Sequence, residues 1–343
     1  MRIAVDAMGG DHAPDAIVEG AVLALRDYAD IEELILVGDE PRVRAECARH
    51  GAVDPRVAFY HASQVVTMSD AASEAVRRKK DSSISRCAQL AKDGRVQAIV
   101  TAGHTGAAVA ACTLRLRTLE GIERPGIACV LPTERNSFVL IDAGANIAAN
   151  ATHLLHYAIM GSLYSRDVLG YANPRVGLMS VGEEDQKGNA LTKEAFKLLE
   201  RSNLNFKGNI EGHDVFAGNV EVIVCDGFTG NVVLKTAESL ASALFHWARA
   251  EIKRNPLRMA GALLAQGAFR AIRRKTDYAE YGGAPLLGIN GTCIIGHGVS
   301  NPRAVRNCVR VAREAVTQHL SAHIVEEVRL NHERIQRAAP AAS

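Results

Sequence analysis

Aromatic residues are scarce in this sequence: Phe, Trp and Tyr make up 5% of its 343 residues, with a single tryptophan. No run of basic residues is interleaved with aromatics, so a surface for stacking nucleic-acid bases is not expected, and nucleic acid is not expected as a partner. Neither sign of charge is in excess. Forty Lys and Arg stand against 38 Asp and Glu, a formal net charge of +2, so any preference for a charged partner must be local. The seven cysteines, at 47, 87, 112, 129, 225, 293 and 308, form no CxxC pair and lack zinc-site spacing. Set mostly in apolar stretches, they read as reduced core residues of a cytosolic protein. No apolar run reaches the roughly 18 residues that span a bilayer. The chain also enters the strand-like RIAVDA at once, without a basic-then-apolar leader, so a cytoplasmic protein is expected.

Several familiar catalytic signatures are missing too. There is no GxGxxG dinucleotide fingerprint, and GEEDQKGN carries Lys187 before its second glycine, unlike a Walker A loop. There is no GxSxG elbow, no HExxH, and no histidine followed by an aspartate five residues on. The usual covalent and zinc chemistries therefore have no visible carrier.

What is present is a pattern repeated five times, in which a short β-rich run ends in a polar, glycine-containing loop and passes into helical periodicity. The loops are AMGGDHAPD after RIAVD, TAGHTGA after QAIV, AGANIAAN after SFVLID, GEEDQKGN after RVGLMSV, and DGFTGN after VEVIVC. This alternation predicts a three-layer αβα fold around a largely parallel sheet covered on both faces. Two segments, IACVLPTERNSFVLID and PLLGINGTCIIGHG, read instead as strand pairs joined by turns, which makes the sheet mixed. With 48% hydrophobic residues and no Pro/Ser/Gly-rich linker, residues 1–330 read as one α/β domain, 239–277 as a helical excursion from it, and 331–343 as a C-terminal tail.

In such sheets the loops after the strands gather where ligands bind, so the five loops are expected to converge on one cleft. The first supplies Asp6, Gly9 and Gly10, and the second Gly103, Thr105 and Gly106. The third supplies Asp142 and Asn146, the fourth Glu183 and Lys187, and the fifth Asp226, Gly227, Thr229, Gly230 and Asn231. His297, in GHG, is a further candidate for substrate contact. A helix start exposes unpaired N–H donors, and glycines let a ligand reach them, so the last loop is suited to an anion. Lys187 beside such donors is a ready phosphate partner. Asp6 and Asp226 at strand ends also have a simpler role, capping the following helix.

Taken in order, DAMGGD, TAGHTGA, IDAGAN, VGEEDQKGN, VIVCDGFTGNVVLK and YGGAPLLGINGTCIIGHG resemble the phosphate acyltransferase family, the acyl-carrier-protein:phosphate acyltransferases of bacterial phospholipid synthesis, from Met1 to about Leu320. The resemblance implies an isocitrate/isopropylmalate dehydrogenase-like fold, a homodimer, and transfer of a fatty acyl group from acyl carrier protein to inorganic phosphate. The acyl phosphate would feed a downstream glycerol 3-phosphate acyltransferase. No cofactor and no metal are implied. Inorganic phosphate would itself be the nucleophile, which accounts for the missing serine or cysteine signature. By this similarity Lys187 and Asn231 are the catalytic positions. Lys187 would offset charge on phosphate or the oxyanion, while Asn231 and the N–H groups around Gly230 hold other oxygens. His104 stands where the family usually has Asn, which puts a ligand contact there in doubt.

One local excess of charge breaks the neutrality. KRNPLRMAGALLAQGAFRAIRRK, Lys253 to Lys275, has seven basic residues and no acid. Helical spacing gathers Leu257, Leu264, Ala268, Ala271 and Ile272 opposite Gln266, Arg270 and Arg273, an imperfect amphipathic helix. It suits a dimer interface, or contact of Leu257, Leu264, Arg270 and Arg273 with an anionic membrane surface or with acidic acyl carrier protein. The enzyme would then be cytoplasmic and peripherally attached to the inner face of the membrane. Competing readings are a metal-dependent hydroxy acid dehydrogenase of the same fold, disfavoured because no loop offers an arginine cluster, and a non-catalytic regulator that binds acyl carrier protein.

Overall fold

The computed structural model describes residues 1–51 and 54–338. The chain runs β1 (Arg2–Asp6), α1 (Asp15–Asp27), β2 (Glu33–Gly38), α2 (Glu40–Arg49), β3 (Val57–His61), α3 (Ala72–Arg78), α4 (Ser83–Lys92), β4 (Ala98–Thr101), α5 (Thr105–Leu116), β5 (Gly126–Pro132) and β6 (Ser137–Ile141). It continues through α6 (Ala151–Asp167), β7 (Arg175–Met179), α7 (Ala190–Arg201), β8 (Asn205–Ile210), β9 (Val222–Val224), α8 (Gly227–Lys253), α9 (Pro256–Leu264), α10 (Gln266–Thr276), α11 (Tyr278–Tyr281), β10 (Ala284–Leu287), β11 (Thr292–Ile295), α12 (Pro302–Thr317) and α13 (Leu320–Ala338).

One mixed sheet holds these strands in the order β3-β2-β1-β4-β11-β10-β5-β6-β9-β7-β8. Both expected strand pairs are present: β5 with β6 and β10 with β11 are antiparallel. A third antiparallel pairing, β10 with β5, joins them. Between β11 and β6 the strand direction therefore reverses three times, and β6, β9, β7 and β8 run opposite to β1, β2, β3, β4 and β11. The carboxyl ends of the two halves accordingly point to opposite edges, which corrects the expectation that all five loops leave one edge. A stagger brings the two sets of ends back toward each other. Thr101 pairs with Ile295 and Ile295 with Ala284, while two residues further along β10, Leu286 pairs with Ile127, the neighbour of Ala128, which pairs with Ile141. The last residues of β4 and β6 thus lie at neighbouring levels of the sheet.

Strand alternation divides the core between the faces. Ile3, Val5 and Val100 pack with residues of α1 and α12, whereas Ala4 and Ile99 pack with residues of α4 and α5. In the reversed half Val139 and Ile141 meet α6, α7 and α13, and Phe138 and Leu140 meet the β8–β9 segment and the start of α8. Leu234 of α8 packs against core residues of both halves.

The boundary expected at 331 falls inside α13, where Asn331 is buried and accepts a hydrogen bond from the Asn203 N–H. Residues 331–338 are therefore helix docked on the body, held by long-range contacts that no local pattern reveals; residues 339–343 lie outside the described residues. His332 in this stretch meets buried His156 of α6, Nε2 to Nε2 at 3.0 Å. Burial lowers the His156 pKa to about 4, helped by His332 and opposed by Glu123. Below the ordinary value of 6.5 the unfolded chain binds a proton that the native site refuses, so stability is full above that value and falls as pH drops toward 4. We expect this group alone to remove about 2 kcal/mol between pH 7 and pH 5. Denaturant unfolding of wild type and His156→Gln at both pH values checks it, since parallel losses in the two proteins would exclude His156 as the source.

Candidate active site

The first group of loops lies at the ends of β1, β4 and β11. Asp6 is buried and caps no helix, for α1 begins only at Asp15. Its carboxylate accepts from the Thr101 hydroxyl at 2.7 Å and the Met8 N–H at 3.2 Å. Burial raises the Asp6 pKa, opposed by hydrogen bonds from Ser83, Thr101, Met8 and Gly9. Gly9 is required by close approach, since a Cβ there would stand 2.6 Å from the Asp6 carboxylate and 2.8 Å from the Gly103 nitrogen. A small cavity of about 10 Å³ opens here, lined by Asp6, Gly9, Ser83, Thr101, Gly103 and His104 among others. His104 caps α5, its Nδ1 accepting from the Ala107 N–H at 3.3 Å. That ring nitrogen is used internally. The N–H groups of Thr105 and Gly106 donate to no protein acceptor among the described residues.

The second group belongs to β6 and β9. Asp142 is fully buried, and its two oxygens accept four backbone N–H bonds: Oδ1 from Ile127 (2.9 Å), Gly144 (3.0 Å) and Ala145 (2.9 Å), and Oδ2 from Asn146 (2.7 Å). Burial raises its pKa and the four amides oppose that rise. Three of the four donors crowd Oδ1, and Oδ2 takes one. Asp142 clamps the loop through these four bonds. The Asn146 side chain donates to the Tyr157 hydroxyl at 3.1 Å, and its backbone oxygen accepts from the Gly227 N–H at 3.0 Å.

Asp226 does cap α8, as the simpler reading of its position holds: Oδ1 accepts from the Phe228 and Thr229 N–H groups, both at 3.0 Å, and Oδ2 from the Thr229 hydroxyl at 2.6 Å. The Gly230 N–H donates to the Asp226 carbonyl. Gly227, Phe228, Thr229 and Gly230 thus spend their amides on protein acceptors, and the role foreseen for the Gly230 N–H as an anion donor is not available in this conformation. Gly230 serves packing instead. A Cβ there would fall 1.9 Å from the Asp142 carbonyl oxygen. Asn231 is exposed on the first turns of α8, with its side chain lying against Gly144.

Lys187 and Glu183 are exposed on the loop after β7, one strand beyond β9. That loop is tied by the Lys187 N–H to the Glu184 carbonyl and by Asn209, which donates to the same carbonyl at 2.9 Å. Glu183, His213 and Asp214 bring possible metal ligands within 4.8 Å of one another, as do Asp15, Glu46 and His50. The second trio is already engaged in ion pairs with one another and with Arg49.

Helix α8 links the two groups. Lys235, one turn beyond Asn231, reaches His297 of the β11 loop, Nζ to Nε2 at 3.4 Å, and pairs with Glu238 at 2.7 Å. Sequence reasoning named His297 but missed Lys235, Glu238 and Ser83. The spacing of Lys235 from Asn231 was a usable signal; nothing local marked Ser83. The two thiols nearest this site are poor nucleophiles, with burial pushing Cys225 well above its usual range and Cys129 up to about 12.

The basic segment is two helices, α9 and α10, that meet at Ala265, so its apolar residues do not share one helical face as expected. It is carried on α8, which runs unbroken from the site through Lys253. Leu257 and Leu264 are 80% and 90% exposed, an apolar surface left uncovered in the single chain. No helix among the described residues is long and apolar enough to cross a membrane.

The sequence matches the family model described as fatty acid synthesis protein over residues 1–323. It is 50% identical to a phosphate acyltransferase of Pelotomaculum thermopropionicum, covering 98% of this chain and 96% of that one. It is 48% identical to a phosphate acyltransferase of Trichlorobacter lovleyi over 97% and 96%. In fold it is similar to a phosphotransacetylase from Streptococcus pyogenes, with a TM-score of 0.63 at 17% identity over 92% of this chain and 94% of that one. A branched-chain phosphotransacylase from Enterococcus faecalis gives a TM-score of 0.56 at 14% identity over 92% and 99%.

Proposed function

This chain belongs to the phosphate acyltransferase family, and from that premise we propose that it transfers a fatty acyl group from acyl carrier protein to inorganic phosphate, giving acyl phosphate for phospholipid synthesis. The observation that carries the reading is the near-half identity to phosphate acyltransferases along almost the whole of both chains. Membership in this family sets aside the dehydrogenase and regulator alternatives. We assign the fold to the isocitrate/isopropylmalate dehydrogenase class and take the working unit to be a homodimer.

Chemically, an anionic phosphate oxygen attacks the thioester carbonyl, the C–O bond forms, and sulfur leaves with the C–S electron pair and takes up the proton that phosphate gives up. The chain's task is to hold phosphate against the thioester and to offset charge on the tetrahedral oxyanion. The raised Cys225 and Cys129 thiols suit this direct attack, with no acyl-enzyme stage. Lys187 and Asn231 are the residues we assign to that task. The test mixes the enzyme with palmitoyl carrier protein, with and without phosphate, and traps acyl phosphate with hydroxylamine. A hydroxamate yield that does not depend on phosphate would sink the proposal.

The arm formed by α9 and α10 supports peripheral attachment to an anionic membrane surface, because exposed leucines sit among seven basic residues. Each basic residue near such a surface contributes roughly 1 kcal/mol and each buried leucine about 1.5 to 3. Leu264→Glu is expected to release the protein from anionic liposomes in sedimentation while sparing transfer from soluble acyl carrier protein. If instead Arg270→Glu with Arg273→Glu raises the KM for carrier protein without lipid, the arm serves the donor.

A further inference from the structure

On α8, Lys235 follows Asn231 by four residues, so the two side chains rise from one face a turn apart. The Lys235 Nζ lies 2.7 Å from Glu238 Oε2 and 3.4 Å from His297 Nε2, and His297 Nε2 lies 3.8 Å from the same Glu238 oxygen. Helix α8 springs from the reversed half of the sheet, while His297 belongs to the loop after β11 in the other half. One carboxylate oxygen is therefore clasped by nitrogens from both walls of the cleft. Leu234, the residue before Lys235, packs on the same core cluster as Cys129 of β5 and Ala284 of β10, which sets the ion-pair cluster over the strands between the two halves. Burial raises the Glu238 carboxyl, but His297 and Lys235 outweigh it and hold the group below its usual range. The surroundings thus favour a negative charge at this point.

We propose that this is the phosphate subsite, with Lys235 as its binding cation and Glu238 as an internal placeholder that incoming phosphate displaces. The inference rests on the reading of acyl transfer to phosphate given above. Phosphate brings more charge than one carboxylate and more acceptor oxygens, so it can give Lys235 and His297 an oxygen each where Glu238 offers both the same one. Glu238 is partly exposed at the end of a flexible side chain and can turn to solvent without any change in α8. Lys187, on the far side of β9, is then left to serve the oxyanion and the acyl donor.

Two signs of opposite direction test this, read by phosphate titration of the reaction and by calorimetric binding of inorganic phosphate to the full chain. Lys235→Met should raise the phosphate KM and Kd about 10- to 100-fold while leaving the KM for the acyl donor in place, and Lys235→Arg should recover part of the loss. Glu238→Gln should tighten phosphate about two- to fivefold, because the competing charge is gone. A merely structural Glu238 would give no such gain. An unchanged phosphate Kd in Lys235→Met, or weaker phosphate binding in Glu238→Gln, overturns the assignment. A wild-type protein that forms no phosphate-dependent hydroxamate would fail the functional reading instead, whereas an active wild type with unaltered variants would fail this inference alone.

Discussion

Lys187→Ala is expected to lower turnover about 100- to 1000-fold while leaving the fold intact, the loss that follows removal of one preorganised charge donor. Folding should survive because the side chain is exposed and the loop is held at the Glu184 carbonyl, which accepts from the Lys187 backbone N–H and the Asn209 side-chain amide. Alanine keeps both. The ammonium is then missed only when negative charge develops on the thioester oxygen, so the loss should appear in kcat and kcat/KM alike, with the KM for phosphate little changed. Asn231→Ala should follow the same course, with a larger share in phosphate affinity, since Asn231 lies one turn before Lys235 on α8. Steady-state kinetics with varied phosphate checks both, and a Lys187→Ala enzyme within about tenfold of wild type would remove Lys187 from the chemistry.

How much of this site the sequence discloses depends on the distance over which each feature is decided. The strand-loop-helix units and the two antiparallel pairs are local, set by β-rich runs of a few residues and the glycines that follow them, and all are found. Asp226 as the cap of α8 is local as well, since its partners are two and three residues on. The reversal of half the sheet is not. It depends on the pairing of Leu286 with Ile127, residues far apart in the chain, and no pattern in either segment specifies the partner. The same reasoning explains the misjudged amides: an N–H at a helix start looks available for an anion until the structure shows which carbonyl or carboxylate already accepts it.

The reversal also recasts what a converging set of loops means here. Loops from parallel neighbours would line one edge; these approach from opposing edges, and the stagger across β11, β10, β5 and β6 leaves the central strands as the floor between them. A long donor and a small nucleophile can enter such a cleft from different sides. Helix α8 is the element that binds the arrangement together, because it starts in one half, reaches His297 of the other, and continues into the exposed arm. Whatever the arm docks on is therefore mechanically connected to the site.

Asp142 decides whether that connection holds. Asp142→Ala would leave four N–H groups without their acceptor, the buried one of Ile127 and the part-buried ones of Gly144, Ala145 and Asn146. A buried unsatisfied donor costs about 1 to 3 kcal/mol and a part-buried one less, so a loss of about 2 to 4 kcal/mol is expected, a large part of the roughly 5 to 15 kcal/mol that stabilises a domain. Asp142→Asn is the sharper variant. It keeps an oxygen for the three donors on Oδ1 and turns an NH2 group toward the Asn146 N–H, so the damage should fall on Asn146, whose carbonyl accepts from Gly227 at the start of α8. We therefore expect Asp142→Asn to cost about 1 to 3 kcal/mol and to lower turnover through a displaced Asn231. Denaturant midpoints measured beside kcat on both variants give the answer. If Asp142→Ala unfolds at the wild-type midpoint, the carboxylate is not the clamp of this loop, and its place in a ligand site is open again.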